Sequence, residues 1–354
     1  MSRAAGGNER ERRGRARVRV AVVGCGYIAQ AEHIPCLLTA QGCALAAIVE
    51  PRPRTRAALA ERLGVPGFAT MAELLSEGPA IDAVDICATP IAHGPLIEAA
   101  AAAGKDILVE KPLCHSPSEG RAIVESVERH GVRLMVGYMR RFDDVVLEAK
   151  RLLDAGHIGR LRSITTVFKL AFPAAFHRVV DLDPEPPPST EAGSGRPASG
   201  RANDLLPDDE IMEQSVHHLN LVRFLGGEVR EVVGVHLEPG NSHVLMLLEN
   251  GVAVNHCHMG NAGHGEEFRL YGEEGMIHAR LGSPHFPYRF PELTWFSRSE
   301  AEEKRRLFPV ASPYQQEIEG FAALVRDGAS NRSTAAGALR DLEVIARIHD
   351  AAVR

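Results

Sequence analysis

Residues 18–35 read VRVAVVGCGYIAQAEHIP. Val18, Val20, Val22 and Val23 form a short β-branched run suited to a strand buried in a parallel sheet, and the run ends at once in Gly24-Cys25-Gly26 with Tyr27-Ile28-Ala29 behind it. Gly24 permits a tight turn, and Gly26 lets backbone approach a pyrophosphate. The following helix would offer free N–H groups and the positive end of its dipole to that anion. The third glycine of the usual G-x-G-x-x-G pattern is missing, so the stretch by itself also fits a plain strand-to-helix turn.

The next apolar run favours the nucleotide. Ala44 to Val49, ALAAIV, ends at Glu50, at about the distance where a carboxylate accepts both hydroxyls of a ribose. A 2′-phosphate there would meet like charge, which favours NAD. Arg52 and Arg54 follow at once, and guanidinium groups are the usual partners of a 2′-phosphate, which keeps NADP as the alternative.

The chain of 354 residues is long enough for two domains and a large core, and its 45% hydrophobic and 24% charged content is that of a globular protein. A net charge of -6 argues against a nucleic-acid surface, which needs a concentrated basic face, and points to a small substrate. No apolar run approaches a membrane span and the Arg-rich N-terminus has no apolar signal core, so a cytoplasmic protein without a membrane partner is expected. Six dispersed cysteines without a C-x-x-C pair make a disulfide framework or a zinc site unexpected.

Residues 1–17 lack apolar periodicity and read as a disordered tail. From Val18 onward strands and helices alternate: helices at Thr55–Leu63, Met71–Leu75 and about Gly94–Ala103, strands at Ala83–Cys87 and Asp106–Val109. This alternation predicts a doubly wound parallel sheet, whose crevice is lined by the loops at the carboxyl ends of its strands. Those loops are Gly24–Tyr27, Thr89–His93 and Glu110–Pro112. A lysine ammonium at Lys111 can stabilise a developing alkoxide; a surface lysine at a strand end is the plain alternative.

The order of GCGYIA, then Ala88-Thr89-Pro90, AGKDILVEKPL from Ala103 to Leu113, and GYMRRFD from Gly137 to Asp143 resembles the Gfo/Idh/MocA family of dehydrogenases. The resemblance implies an α/β architecture: an N-terminal Rossmann domain over 18–137 and a C-terminal α/β domain over 138–334, whose large, mostly antiparallel open sheet packs on a partner subunit. A helix over 335–354 would return to the first domain. It further implies NAD or NADP, a sugar or cyclitol substrate, and a homodimer or homotetramer. By match, Gly24, Gly26, Tyr27, Ile28, Glu50, Arg52, Thr89, Pro90, Glu110 and Lys111 become cofactor-site candidates, with His93 a cofactor contact or a histidine bonded to backbone. Tyr138 and Arg141 become substrate contacts, with an arginine paired to Asp143 or Asp144 as the alternative.

The second catalytic element is Glu213-Gln214-Ser215-Val216-His217-His218-Leu219-Asn220. On a helix Glu213, His217 and Asn220 fall at i, i+4 and i+7, on one face, where the carboxylate can orient the imidazole for proton transfer. The family places Asp-x-x-x-His-x-x-Asp there; here Glu stands first and the neutral Asn220 last, which alters the charge offered to a substrate hydroxyl. His218 points away from that face. Residues 181–210, with PEPPPSTEAGSGRPASGR at 184–201, read as a flexible insertion and a mobile cover for the site.

Strands are expected at Leu161–Phe172, Val229–Leu237, His243–Glu249, Val252–Met259 and Glu267–Tyr271, followed by helices at Pro313–Arg326 and Ala335–Ala352. His256 and His258 share a strand face near His264, and a polar sheet face or subunit contact is preferred to zinc. The expected chemistry is hydride transfer at a ring hydroxyl or ketone of a sugar, aminocyclitol or sugar derivative. His217 takes the proton, Lys111 holds the oxyanion and Glu213 orients His217; Lys111, His217 and Asn220 also touch substrate. An NAD-retaining glycosidase and a non-catalytic NAD-binding regulator are the alternatives.

Overall fold

The computed structural model describes residues 17–170, 179, 215–260, 265–284 and 289–353. The tail at 1–16, the insertion at 181–210, Glu213 and His264 lie outside the described residues.

Strand β1 (Val18–Val23) is flanked by β2 (Cys43–Val49) and β4 (Ala83–Ile86), and the sheet runs β3 (Gly67–Phe68), β2, β1, β4, β5 (Asp106–Glu110), β6 (Leu134–Gly137), all parallel. The order reverses beside β1, so the carboxyl ends of β1 and β4 open the crevice where dinucleotides bind in such sheets. Both faces of β1 are covered, as its run of valines requires. Val18, Val20 and Val22 face one core; Ala21 and Val23 face the other.

After β1 a π-helical turn, Ala29–His33, continues into α1 (Ile34–Thr39). Then come α2 (Pro53–Leu63), α3 (Met71–Glu77), α4 (His93–Ala102) and α5 (Pro117–His130). Gly64 and Gly131 stop α2 and α5 in the left-handed conformation. The Ser116 hydroxyl accepts the Glu119 N–H at the start of α5.

The second sheet has eight strands in the order β14-β13-β12-β11-β7-β10-β9-β8. These are β7 (Leu161–Leu170), β8 (Val229–Glu238), β9 (Asn241–Leu248), β10 (Ala253–Gly260), β11 (Gly265–Gly272), β12 (Gly275–Leu281), β13 (Glu292–Ser297) and β14 (Glu302–Leu307). The β7–β10 pair is parallel and the other neighbours antiparallel. Helices α6 (Asp144–Asp154) and α7 (Val216–Gly226) lie along one face of it. Strands β12 to β14 were not among the expected ones. In β14 the run Glu302-Glu303-Lys304-Arg305-Arg306 leaves no apolar alternation, whereas β12 does carry one in its buried Ile277, Ala279 and Leu281.

Two closing helices, α8 (Pro313–Asp327) and α9 (Ala335–Ala352), return to the first domain: α8 packs on β1, β2 and α1, and α9 on α5, β8 and α7. Among the described residues no helix is long and apolar enough to cross a membrane.

Candidate active site

Gly24 adopts φ +85°, and a Cβ there would lie 2.7 Å from the backbone N and Cα of Ala88. The end of β1 therefore presses on the loop after β4, as only glycine allows. Gly26 is different: a Cβ on it would meet nothing within 4 Å. That open space, beside Tyr27 and Ile28 at the entry of the π-helical turn, is where an anion can reach backbone N–H groups.

The Glu50 carboxylate, buried at the end of β2, accepts the Cys25 N–H at 3.0 Å. Arg52 grips both its oxygens through Nε and Nη2, each at 2.8 Å, and also reaches the Cys25 carbonyl. Turn, open cradle and buried acid are the features that a dinucleotide-binding crevice of this kind presents.

Thr89 is exposed and Pro90 half-buried on a short 3-10 turn, Pro90–Ala92. His93 is fully buried instead, with Nε2 at 3.0 Å from the Ala88 carbonyl and Nδ1 at 3.1 Å from that of Pro112. Burial holds its pKa below the ordinary value. The ring staples the loop after β4 to the Lys111-Pro112 loop, the backbone-bonded alternative of the sequence reading.

Strand β5 ends in Glu110, and the Lys111–Pro112 peptide bond is cis. Glu110 Oε2 accepts the Lys111 N–H at 2.9 Å, while Oε1 lies 2.9 Å from His33 Nε2. Burial opposes the Glu110 charge, but the His33 hydrogen bond and charge, then Lys111, bring its pKa down to about 2. The neighbour on β6 is Gly137, where a Cβ would crowd Glu110 Oε1 at 3.2 Å.

Helix α7 brings His217 to this loop. Burial first, and the Lys111 charge second, lower its pKa to about 3, with Glu110 acting in the opposite sense. The ring is neutral at pH 7, and Nδ1 is buried without a hydrogen-bond partner among the described residues. The Tyr138 ring meets it edge-on at 6.3 Å.

The other substrate candidates lie in a separate network. Arg141 Nε donates to Asn220 Oδ1, and Asn220 Nδ2 donates to Asp341 Oδ2, both at 2.6 Å. Arg141 also reaches the Arg332 carbonyl and stacks over Phe224. Asp341, fully buried on α9, binds Arg223 as well, and burial followed by Asp341 pushes the Tyr138 hydroxyl pKa up. Tyr138, Arg141 and Asn220 therefore tie the second domain to its closing helix. It is Arg140 that pairs with Asp143, and with Glu266.

His256 and His258 do share a face, but it is the buried one under α7. His256 bonds Thr166 at 2.7 Å, and Phe168 stacks between His218 and His258. The preference for a polar sheet face or subunit contact is corrected accordingly: His218 of α7 and Phe168 of β7 cover these rings, which the pattern of their own strand does not reveal. Among the described residues one group places three metal-ligating atoms within 4.8 Å: His33, Asp85 and Cys87. His33 Nδ1 bonds Asp85 Oδ2 directly at 2.9 Å, so this is an ion pair. Sequence reading missed His33 and Asp85, although an aspartate inside the apolar strand AVDI signals a buried partner.

Residues 18–138 match the family model described as oxidoreductase family, NAD-binding Rossmann fold, and residues 146–278 match the GFO/IDH/MocA C-terminal domain. Inositol 2-dehydrogenase 2 of Saccharopolyspora erythraea is 30% identical over 85% of this chain and 80% of its own length. The scyllo-inositol 2-dehydrogenase (NAD(+)) of Bacillus subtilis is 38% identical over 40% of this chain and 42% of its own. An aldose-aldose oxidoreductase from Caulobacter crescentus superposes with a TM-score of 0.76 at 21% identity, covering 96% of this chain and 98% of that one. The chain belongs to the Gfo/Idh/MocA family of NAD(P)-dependent oxidoreductases.

Proposed function

We propose that the protein moves a hydride between NAD and a ring hydroxyl or ketone of a cyclitol or sugar. The observation that carries this reading is the convergence of Lys111 and His217, from different domains, on the carboxyl end of β5, where the Lys111 charge helps to hold the His217 ring neutral. The inositol dehydrogenases among the relatives support a cyclic polyol. Glu50, a buried carboxylate at the ribose position, supports NAD; Arg52, already paired with it, is the group an NADP site would recruit.

Bound NAD would supply the hydride acceptor at its nicotinamide. The chain's own work is acid–base and electrostatic. The Lys111 ammonium stabilises the alkoxide as it forms, and neutral His217 accepts the hydroxyl proton. A ring with a pKa of about 3 takes that proton only as negative charge builds on the substrate oxygen, and a carboxylate at Glu213 would raise its basicity.

The test is absorbance at 340 nm with NAD or NADP against inositols, aminocyclitols, free sugars and sugar nucleotides. His217→Ala should lower kcat at least on the order of 100-fold and leave the NADH Kd within about twofold. A variant as active as wild type removes His217 from the chemistry.

A further inference from the structure

Beneath the catalytic loop runs a buried chain of charged groups. His33 Nδ1 lies 2.9 Å from Asp85 Oδ2, and Nε2 lies 2.9 Å from Glu110 Oε1. The other Glu110 oxygen receives the Lys111 N–H at 2.9 Å. His33 and Asp85 are fully buried and Glu110 nearly so.

A neutral imidazole has one N–H and one lone pair, so it cannot satisfy carboxylates at both nitrogens; the imidazolium, with two N–H groups, can. Each of its bonds is then charge-assisted. We propose that His33 is a positioning residue for Lys111: clamped as an imidazolium between Asp85 and Glu110, it fixes the carboxylate that holds the Lys111 backbone. This rests on Lys111 acting on the substrate.

The surroundings agree. Burial disfavours the imidazolium, yet Asp85 and its neighbours raise the His33 pKa well above the ordinary value. The groups facing it are Asp85 from β4 and Cys87 just beyond it, Glu110 and Lys111 from β5 and its loop, Tyr314 and Glu317 from α8, and Glu32 on its own turn. Burial and Glu110 push the Glu317 carboxyl pKa up, which disfavours its anion beside His33. Asp85 and Glu110 are the two carboxyl groups in direct hydrogen-bond contact with the ring, one at each nitrogen. His33 sits at the end of the π-helical turn that begins behind the glycine loop, so the clamp also sets the distance between that loop and Lys111.

The test reads Lys111 directly. The chain has five lysines, Lys105, Lys111, Lys150, Lys169 and Lys304, so lysine-selective 15N labelling gives a readable amide spectrum, with Lys111 assigned from its loss in Lys111→Ala. His33→Gln should move the Lys111 amide resonance and leave the other lysines in place. Asp85→Asn, which keeps the ring, should move it less. An unmoved Lys111 amide in both variants overturns the proposal. So does a His33 ring that titrates near pH 6.5 in histidine-labelled wild type, a measurement that stands even if His33→Gln fails to fold.

Kinetics separate the two readings. His33→Gln should lower kcat on the order of 10- to 100-fold with KM little changed, and add no further loss to Lys111→Ala. Full activity in Lys111→Ala defeats the catalytic role of the lysine while the amide spectrum still judges the clamp. Additive losses in the double variant would mean His33 is merely structural and overturn its action through Lys111.

Discussion

The two glycines of the first loop make opposite demands, and exchanging each for alanine separates folding from cofactor binding. At Gly24 the added methyl lies 2.7 Å from the backbone of Ala88, at φ +85°. A left-handed backbone costs an alanine roughly 1–2 kcal/mol. The contact is with main chain at the exit of β4, so relieving it displaces a central strand, at about 1–3 kcal/mol. Gly24→Ala should therefore lose about 2–5 kcal/mol of stability. At Gly26 there is no such φ and no atom within 4 Å, so stability should stay within about 0.5 kcal/mol. The Gly26→Ala methyl instead projects into the space a pyrophosphate needs, and NADH affinity should fall on the order of 10- to 100-fold, about 1.4–2.8 kcal/mol. Urea unfolding followed by circular dichroism gives the first quantity, and NADH fluorescence titration the second. Gly26→Ala with wild-type NADH affinity would refute the cradle; Gly24→Ala as stable as wild type would refute the contact with Ala88.

Acid should unfold the protein from within the site. The folded pKa of Glu110, about 2, and of His217, about 3, lie below the ordinary 4.5 and 6.5, so the unfolded chain binds more protons in those intervals. Their stabilisation is complete above pH 6.5 and is lost as pH falls through about 3 and then 2; His217→Asn should flatten urea midpoints between pH 6.5 and 4, and an unchanged slope would contradict this. Glu317 has the reverse sign: its raised pKa means the folded chain keeps a proton the unfolded chain has released, so stability falls as pH rises above 4.5. Glu317→Gln should exceed wild type in Tm at pH 8 and converge with it near pH 4.5; a constant offset would show that ionisation is not the cause. Asn220→Ala breaks the link from Arg141 to Asp341 and should cost about 1–3 kcal/mol while leaving substrate KM near wild type; a large rise in KM would return Asn220 to the substrate pocket.

The first domain was legible because its strands are apolar runs punctuated by glycines, a pattern set by burial on both faces. Gly24, Gly26 and Glu50 could be placed for the same reason: each sits where such a run stops. Helix α7 was legible too, since His217 and its neighbours carry a helical period. Contacts between distant segments were not. Asn220 and Arg141 each suit a sugar hydroxyl when read alone, and only the return of α9 with Asp341 shows what they bind. Likewise His33, Asp85 and Glu110 stand 52 and 77 residues apart along the chain, a separation at which no local pattern reports contact. Strand β14, at the edge of its sheet, escaped because its run of charged residues carries no apolar period.

Helix α8 bears on how the molecule comes into being. Its Tyr314, Ile318, Phe321, Ala322 and Leu324 complete the core on which Val18, Val20 and Val22 rest. The nucleotide-binding half is synthesised first and Ile34, Leu37 and Leu59 cover part of this face, yet the rest of it stays open until residue 327 has left the ribosome. At about 5–20 residues per second, the interval after residue 137 lasts roughly 10–40 s. Through that time the nascent chain carries an exposed strip of valine, leucine and isoleucine, a surface suited to chaperones. The core beneath β1 closes only once α8 has been made.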